Sequence, residues 1–140
     1  EIIDMLRQRS RPYLFSNSIP PMIAAAGIRM FEMMTENNTL QDKLHANTEY
    51  FVARMKAAGF DIKPTESAIC AVMLYDAKLS QIMASKLLDK GIYVIGFYYP
   101  VVPKGEARIR VQVSAAHEKE HLDQCIAAFT EIGRELGVIA

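Results

Sequence analysis

The stretch Ala107-Arg108-Ile109-Arg110-Val111-Gln112-Val113 decides the fold. Apolar and polar residues alternate along it, which is the period of a strand with one buried face. Ile109, Val111 and Val113 form the buried side; Arg108, Arg110 and Gln112 form the polar one. A guanidinium held on a rigid strand suits a carboxylate, because its planar fork gives two parallel hydrogen bonds and so fixes orientation as well as charge. The same pattern also fits a strand whose polar face is merely solvated, and the seven residues alone leave both readings open.

Working outward, the turn-rich stretch Gly96 to Glu106 (GFYYPVVPKGE) precedes this strand. Ile92 to Tyr98, β-branched and aromatic, reads as another strand. Ala68 to Tyr75 (AICAVMLY) is a continuous apolar run of buried-strand length, and Phe60 to Pro64 is short and extended. Between these, Asp76 opens a helical segment with Leu79, Ile82, Met83, Leu87 and Leu88 on its apolar side, closed by Lys90-Gly91. The closing helix carries Glu118 and Glu120 at its positive end and Leu122, Ile126, Phe129, Ile132 and Leu136 as its buried stripe.

Toward the amino end, Pro20 and Pro21 mark a helix start. Met22, Ile23, Ala26, Met30, Phe31 and Met34 follow at helical spacing. A second helix is expected from Leu40 to Ala58, with Leu44, Phe51, Val52 and Met55 inward and Gly59 as its stop. The residues before Asn17 begin inside a helical pattern, with Ile2, Ile3 and Leu6 apolar, so the chain reads as part of a longer one. The organisation expected is a helical segment over 1–58 and an α+β unit over 59–140. Its sheet has three or four strands, with helices packed on one face.

With 140 residues, 51% of them hydrophobic, the chain has the makings of a real core. Sixteen basic residues balance sixteen acidic ones, so no charge excess points to nucleic acid or an anionic membrane surface. No apolar stretch approaches a bilayer span, and the chain is expected to be soluble and cytoplasmic. Cys70 and Cys125 lack a CxxC partner and read as buried, reduced thiols.

Few residues outside the arginine strand suggest chemistry. His117 and His121 stand four apart, but no third ligand is patterned near them, so they read as solvated or capping residues rather than a metal site. None of the serines sits in a nucleophile elbow. The methionines Met22, Met30, Met33 and Met34 suit a core or a subunit interface. Ser16-Asn17-Ser18, just before a proline-marked helix start, fits either a capping turn or an anion site of the kind that takes phosphate.

Three stretches carry a family resemblance: RPYLFSNSIPP (11–21), GIYVIGFYYPVVPKGEARIRVQVSAAH (91–117) and FTEIGRELGVIA (129–140). Together they resemble the α-oxoamine synthases, pyridoxal-phosphate (PLP) enzymes of the aspartate aminotransferase fold type, over the C-terminal third of that family's length. The resemblance implies the small C-terminal domain of a fold type I PLP enzyme, with a mostly antiparallel sheet. It implies that Ser16 and Asn17 reach the cofactor phosphate across a homodimer interface, and that Arg110 binds the substrate carboxylate. Residues 1–58 would lie partly at that interface and partly between domains.

The activity implied is condensation of glycine with acetyl-CoA to 2-amino-3-ketobutyrate and CoA, a reaction that runs in reverse in threonine breakdown. A synthase making 8-amino-7-oxononanoate and a non-catalytic amino-acid-binding module are the alternatives. No lysine from Lys43 to Lys119 stands in the family's Schiff-base context. That lysine is expected upstream of Glu1, and the chain alone is expected to be inactive with no catalytic residue of its own.

Overall fold

The computed structural model describes residues 1–140, apart from the side chain of Leu14. The chain forms two compact units, Glu1–Asn38 and Thr39–Ala140. The helix that opens the second unit is expected from the sequence to group with the residues before it, within 1–58; the structure places it with the residues that follow. Its buried Phe51 and Met55 belong to the second unit's core.

The first unit holds α1 (Ile2–Arg9), the single turn α2 (Arg11–Leu14) and α3 (Pro21–Glu36). Pro21 is tolerated at the first position of α3 because its missing N–H would have no helical partner there. The apolar stripe read from the sequence is present, yet α3 buries none of its residues. Met22, Ile23 and Phe31 are all exposed. On the polar side, Arg29 bridges Glu32 and Glu36, each at 3.2 Å.

In the second unit α4 (Thr39–Ala57) leads to β1 (Ile62–Lys63) and β2 (Ile69–Tyr75). After these come α5 (Ala77–Asp89), β3 (Ile95–Phe97), β4 (Ala107–Gln112) and α6 (Lys119–Glu135). The four strands make one antiparallel sheet in the order β1-β2-β4-β3. β4, the alternating strand, therefore runs inside the sheet. The strand expected over 92–98 is only three residues long, since pairing with β4 reaches no further than Ile95 and Phe97.

The core lies between the sheet and α4, α5 and α6. Ile109, Val72, Met83, Leu87 and Phe129 are all but fully buried in it, each contributing about 1.5–3 kcal/mol of burial. Phe60 meets Phe129 edge-on at 5.9 Å, and Gly133 of α6 lies against the Phe60 ring. Ile82 and Leu88, expected to face inward, are 37% and 56% exposed. They lie at the border of the α5 stripe whose centre, Met83 and Leu87, is buried.

Strand β2 stops abruptly. Tyr75 takes a positive φ of 65°, which side chains other than glycine rarely adopt, and its hydroxyl donates to Asp61. The next residue, Asp76, caps α5 by accepting the Leu79 N–H at 2.7 Å.

Candidate functional site

Pleat alternation sends Ala107, Ile109 and Val111 into the core and leaves the other side of β4 open. Register then fixes the neighbours of each arginine. Arg110 is opposite Ala71 on β2 and Ile95 on β3, while Arg108 is opposite Met73 and Phe97. Because Lys63 pairs with Ala71, one row of this open face reads Lys63, Ala71, Arg110, Ile95 across the four strands.

The two arginines differ in what they touch. Arg108 is mostly covered, with 22% of its side chain exposed, and its Nη1 lies 3.7 Å from Glu106 Oε2. The same Glu106 oxygen is 3.4 Å from Lys63 Nζ. Arg110 is exposed and, among the described residues, has no carboxylate partner; its Cζ stands over the Phe97 ring at 5.8 Å. A guanidinium with an aromatic shelf below it and its donors unspent is a ready carboxylate site. Just before the strand, Lys104 lies over the Tyr99 ring at 5.1 Å, so its stem and charge cover that aromatic instead of extending freely into water.

The turn after β4 is tied down by backbone contacts. Asn47 of α4 donates its amide to Ser114 O at 3.1 Å and to His117 O at 2.8 Å. His117 Nδ1 accepts the Ser114 N–H at 3.2 Å, and His121 Nδ1 accepts the Glu118 N–H at 3.0 Å. Both histidines thus serve the turn and the start of α6. Among the described residues no cluster of three potential metal ligands occurs. Lys43 of α4 meets Glu118 at 2.6 Å and holds its carboxyl below the usual range.

A cleft of about 490 Å³ opens beside this turn, lined by Phe51, Tyr93, Val111, His117, His121 and Cys125 among others. Burial pushes the Cys125 thiol up to about 11, so it is a poor nucleophile at neutral pH. Cys70 is fully buried, Cys125 is half-buried, and both are free thiols.

Ser16 and Asn17 belong to the other compact unit. They do not cap α3, whose N-cap is Pro20. Instead the Ser18 N–H donates to Ser16 Oγ at 3.3 Å, and Asn17 turns the chain with a φ of 49°. Hydroxyl and carboxamide donors, all exposed, make a neutral set suited to phosphate oxygens, so these residues fit the phosphate end of PLP.

Sequence reasoning missed Glu106 and Asn47. Glu106 offered a signal in being the acidic residue nearest the arginine strand. Asn47 offered a weaker one, as a poor helix former in mid-helix.

Residues 1–129 match the family model for aminotransferase class I and II. Over all 140 residues the chain is 54% identical to the 2-amino-3-ketobutyrate coenzyme A ligase of Escherichia coli K12, covering 35% of that protein. It is 44% identical to the 8-amino-7-oxononanoate synthase of Petrotoga mobilis over 138 residues, 99% of this chain and 35% of that one. Among solved structures, one described as SPT with PLP internal aldimine superposes with a TM-score of 0.79 at 32% identity. That match covers 98% of this chain and 35% of the other. The chain spans about a third of the length of the curated relatives it matches.

Proposed function

The chain belongs to the aminotransferase class I and II family, and from that premise we propose that it is the C-terminal portion of a PLP-dependent acyltransferase. The reaction proposed joins glycine to acetyl-CoA, giving 2-amino-3-ketobutyrate and CoA. The single observation that carries this reading is Arg110, an exposed guanidinium on an internal strand that, among the described residues, has no carboxylate partner. Its setting supports a role as clamp for the amino acid carboxylate. The kinship to a ligase named for 2-amino-3-ketobutyrate supports the choice of substrate.

The chain's own residues contribute binding and orientation. Arg110 would take both carboxylate oxygens, and β4, hydrogen-bonded on both sides, keeps its Cα from shifting. The Phe97 ring would limit the guanidinium to one plane. Ser16 and Asn17 would hold the cofactor phosphate with neutral donors, reaching a neighbouring subunit's site in a homodimer. When bound, PLP supplies an electron sink that makes the glycine α-carbon nucleophilic. The lysine that carries it is proposed to lie in the rest of the longer protein, since no lysine here stands in a matching context.

The exposed apolar side chains of α1 and α3 support a role for residues 1–38 as interdomain and dimer-interface surface, whereas α4, grouped with them in the sequence reading of 1–58, packs into the second unit's core. No helix of the described residues is long and apolar enough to cross a membrane. The two unpaired thiols fit a reducing compartment, and the cytoplasm is the one proposed.

Kinship to the synthase of Petrotoga mobilis favours one second reading, in which a longer acyl-CoA replaces acetyl-CoA. The nine-carbon product of that synthase carries a methyl group beyond its amino carbon, so its amino acid is alanine. Assay of the intact enzyme with glycine or alanine, each with acyl-CoAs of increasing length, separates the two. Turnover highest with acetyl-CoA supports the proposal; turnover only with a long acyl-CoA contradicts it.

A further inference from the structure

We propose that Glu106 is a specificity-determining residue: by engaging Arg108 and Lys63 it leaves Arg110 as the single open guanidinium, so that this face takes monocarboxylates and disfavours dicarboxylates. The inference rests on the reading of Arg110 as the carboxylate clamp and deepens it. Arg108 and Arg110 are two residues apart on one face of β4, about 6.6–6.8 Å along the strand. Flexible arginine forks at that spacing can each grip one end of a short dicarboxylate. Left to themselves, they form a two-point site for a diacid.

The geometry removes one of the two points. Glu106 Oε2 lies 3.7 Å from Arg108 Nη1 and 3.4 Å from Lys63 Nζ, so one carboxylate answers two cations. Arg108 is correspondingly covered, whereas Arg110 is exposed. A second carboxylate arriving at Arg108 meets the like charge of Glu106 and must displace it. The main chain also fixes Glu106, whose N–H donates to Pro103 O at 3.1 Å in the turn that delivers the strand. The carboxylate therefore belongs to a formed turn rather than to a free loop.

The test is calorimetric titration of the intact protein with acetate and with malonate, in the wild type, Glu106→Gln, Glu106→Gln/Arg108→Gln and Arg110→Ala. Freeing Arg108 is expected to tighten malonate relative to acetate by about twofold to fivefold in Glu106→Gln, the range of an exposed ion pair. Acetate corrects for the general rise in positive charge, which acts on both anions. The gain is expected to vanish in the double variant, because it runs through Arg108. An unchanged malonate-to-acetate ratio in Glu106→Gln, or a gain that survives loss of Arg108, overturns the inference. Arg110→Ala separates this from the clamp itself: if it abolishes acetate binding while Glu106→Gln leaves the ratio unmoved, the clamp stands and only the role of Glu106 falls. If Arg110→Ala leaves acetate binding intact, the clamp fails and the inference with it.

Discussion

Arg110 reaches Phe97 on the diagonal. Its direct partner across β3 is Ile95, and the partner of Phe97 is Arg108, yet it is the Arg110 Cζ that stands 5.8 Å over the Phe97 ring. Diagonal neighbours on adjacent strands are within reach of long and aromatic side chains. The contact orients the guanidinium without consuming its hydrogen-bond donors, which a carboxylate neighbour would have taken.

Replacing Phe97 by Leu keeps apolar cover but removes the ring. An exposed cation–π contact contributes about 0.5–1 kcal/mol, so the KM for glycine is expected to rise about twofold to fivefold. Little change in kcat is expected if the ring only orients a binding group. Initial rates against glycine at saturating acetyl-CoA check this; a fall in kcat with KM unchanged would assign Phe97 a different role.

Gly96 supports the same strand from behind. A Cβ added there would sit 2.9 Å from the Ser80 carbonyl oxygen in α5, closer than side-chain carbons come to backbone. Gly96→Ala must push β3 from α5 and is expected to cost about 1–3 kcal/mol, read as a lower denaturation midpoint in urea. An unchanged midpoint would mean that β3 moves freely.

Much of this was legible in the sequence, and the failures have a common cause. Strict alternation found β4 and its faces, and helical spacing found α6 with Leu122, Ile126, Phe129 and Ile132 inward. Spacing shows which side of a helix is apolar but not what covers it, which is why the stripe of α3 reads equally as core or subunit interface in the sequence, and only the structure shows it exposed. The run 92–98 has strand composition throughout, yet only three residues find a partner on β4. Glu106 and Asn47 act through residues brought near by register and by the packing of α4. Their contacts with Lys63 and His117 span 43 and 70 positions, beyond any local pattern.

The start of α6 carries an acid-sensitive contact. The Lys43 ammonium, donating to Glu118 at 2.6 Å, holds that carboxyl below its ordinary value of 4.5. A carboxyl with a depressed folded-state pKa stabilises the fold above its unfolded value, and the contribution is lost as pH falls through the folded value. Stability should therefore decline on acidification from 4.5 downward more steeply in the wild type than in Glu118→Gln. Urea midpoints of the two proteins across that window check the sign. Equal slopes would show that the pair contributes nothing.

The central claim is that Arg110 holds the amino acid carboxylate, and the most direct test is the dissociation constant of glycine for the intact Arg110→Ala enzyme. A hydrogen bond to a charged group contributes about 1.5–3 kcal/mol, so binding should weaken by about tenfold or more. Arg108→Ala, which removes the guanidinium engaged by Glu106, should weaken it far less. Unchanged glycine affinity in Arg110→Ala contradicts the account.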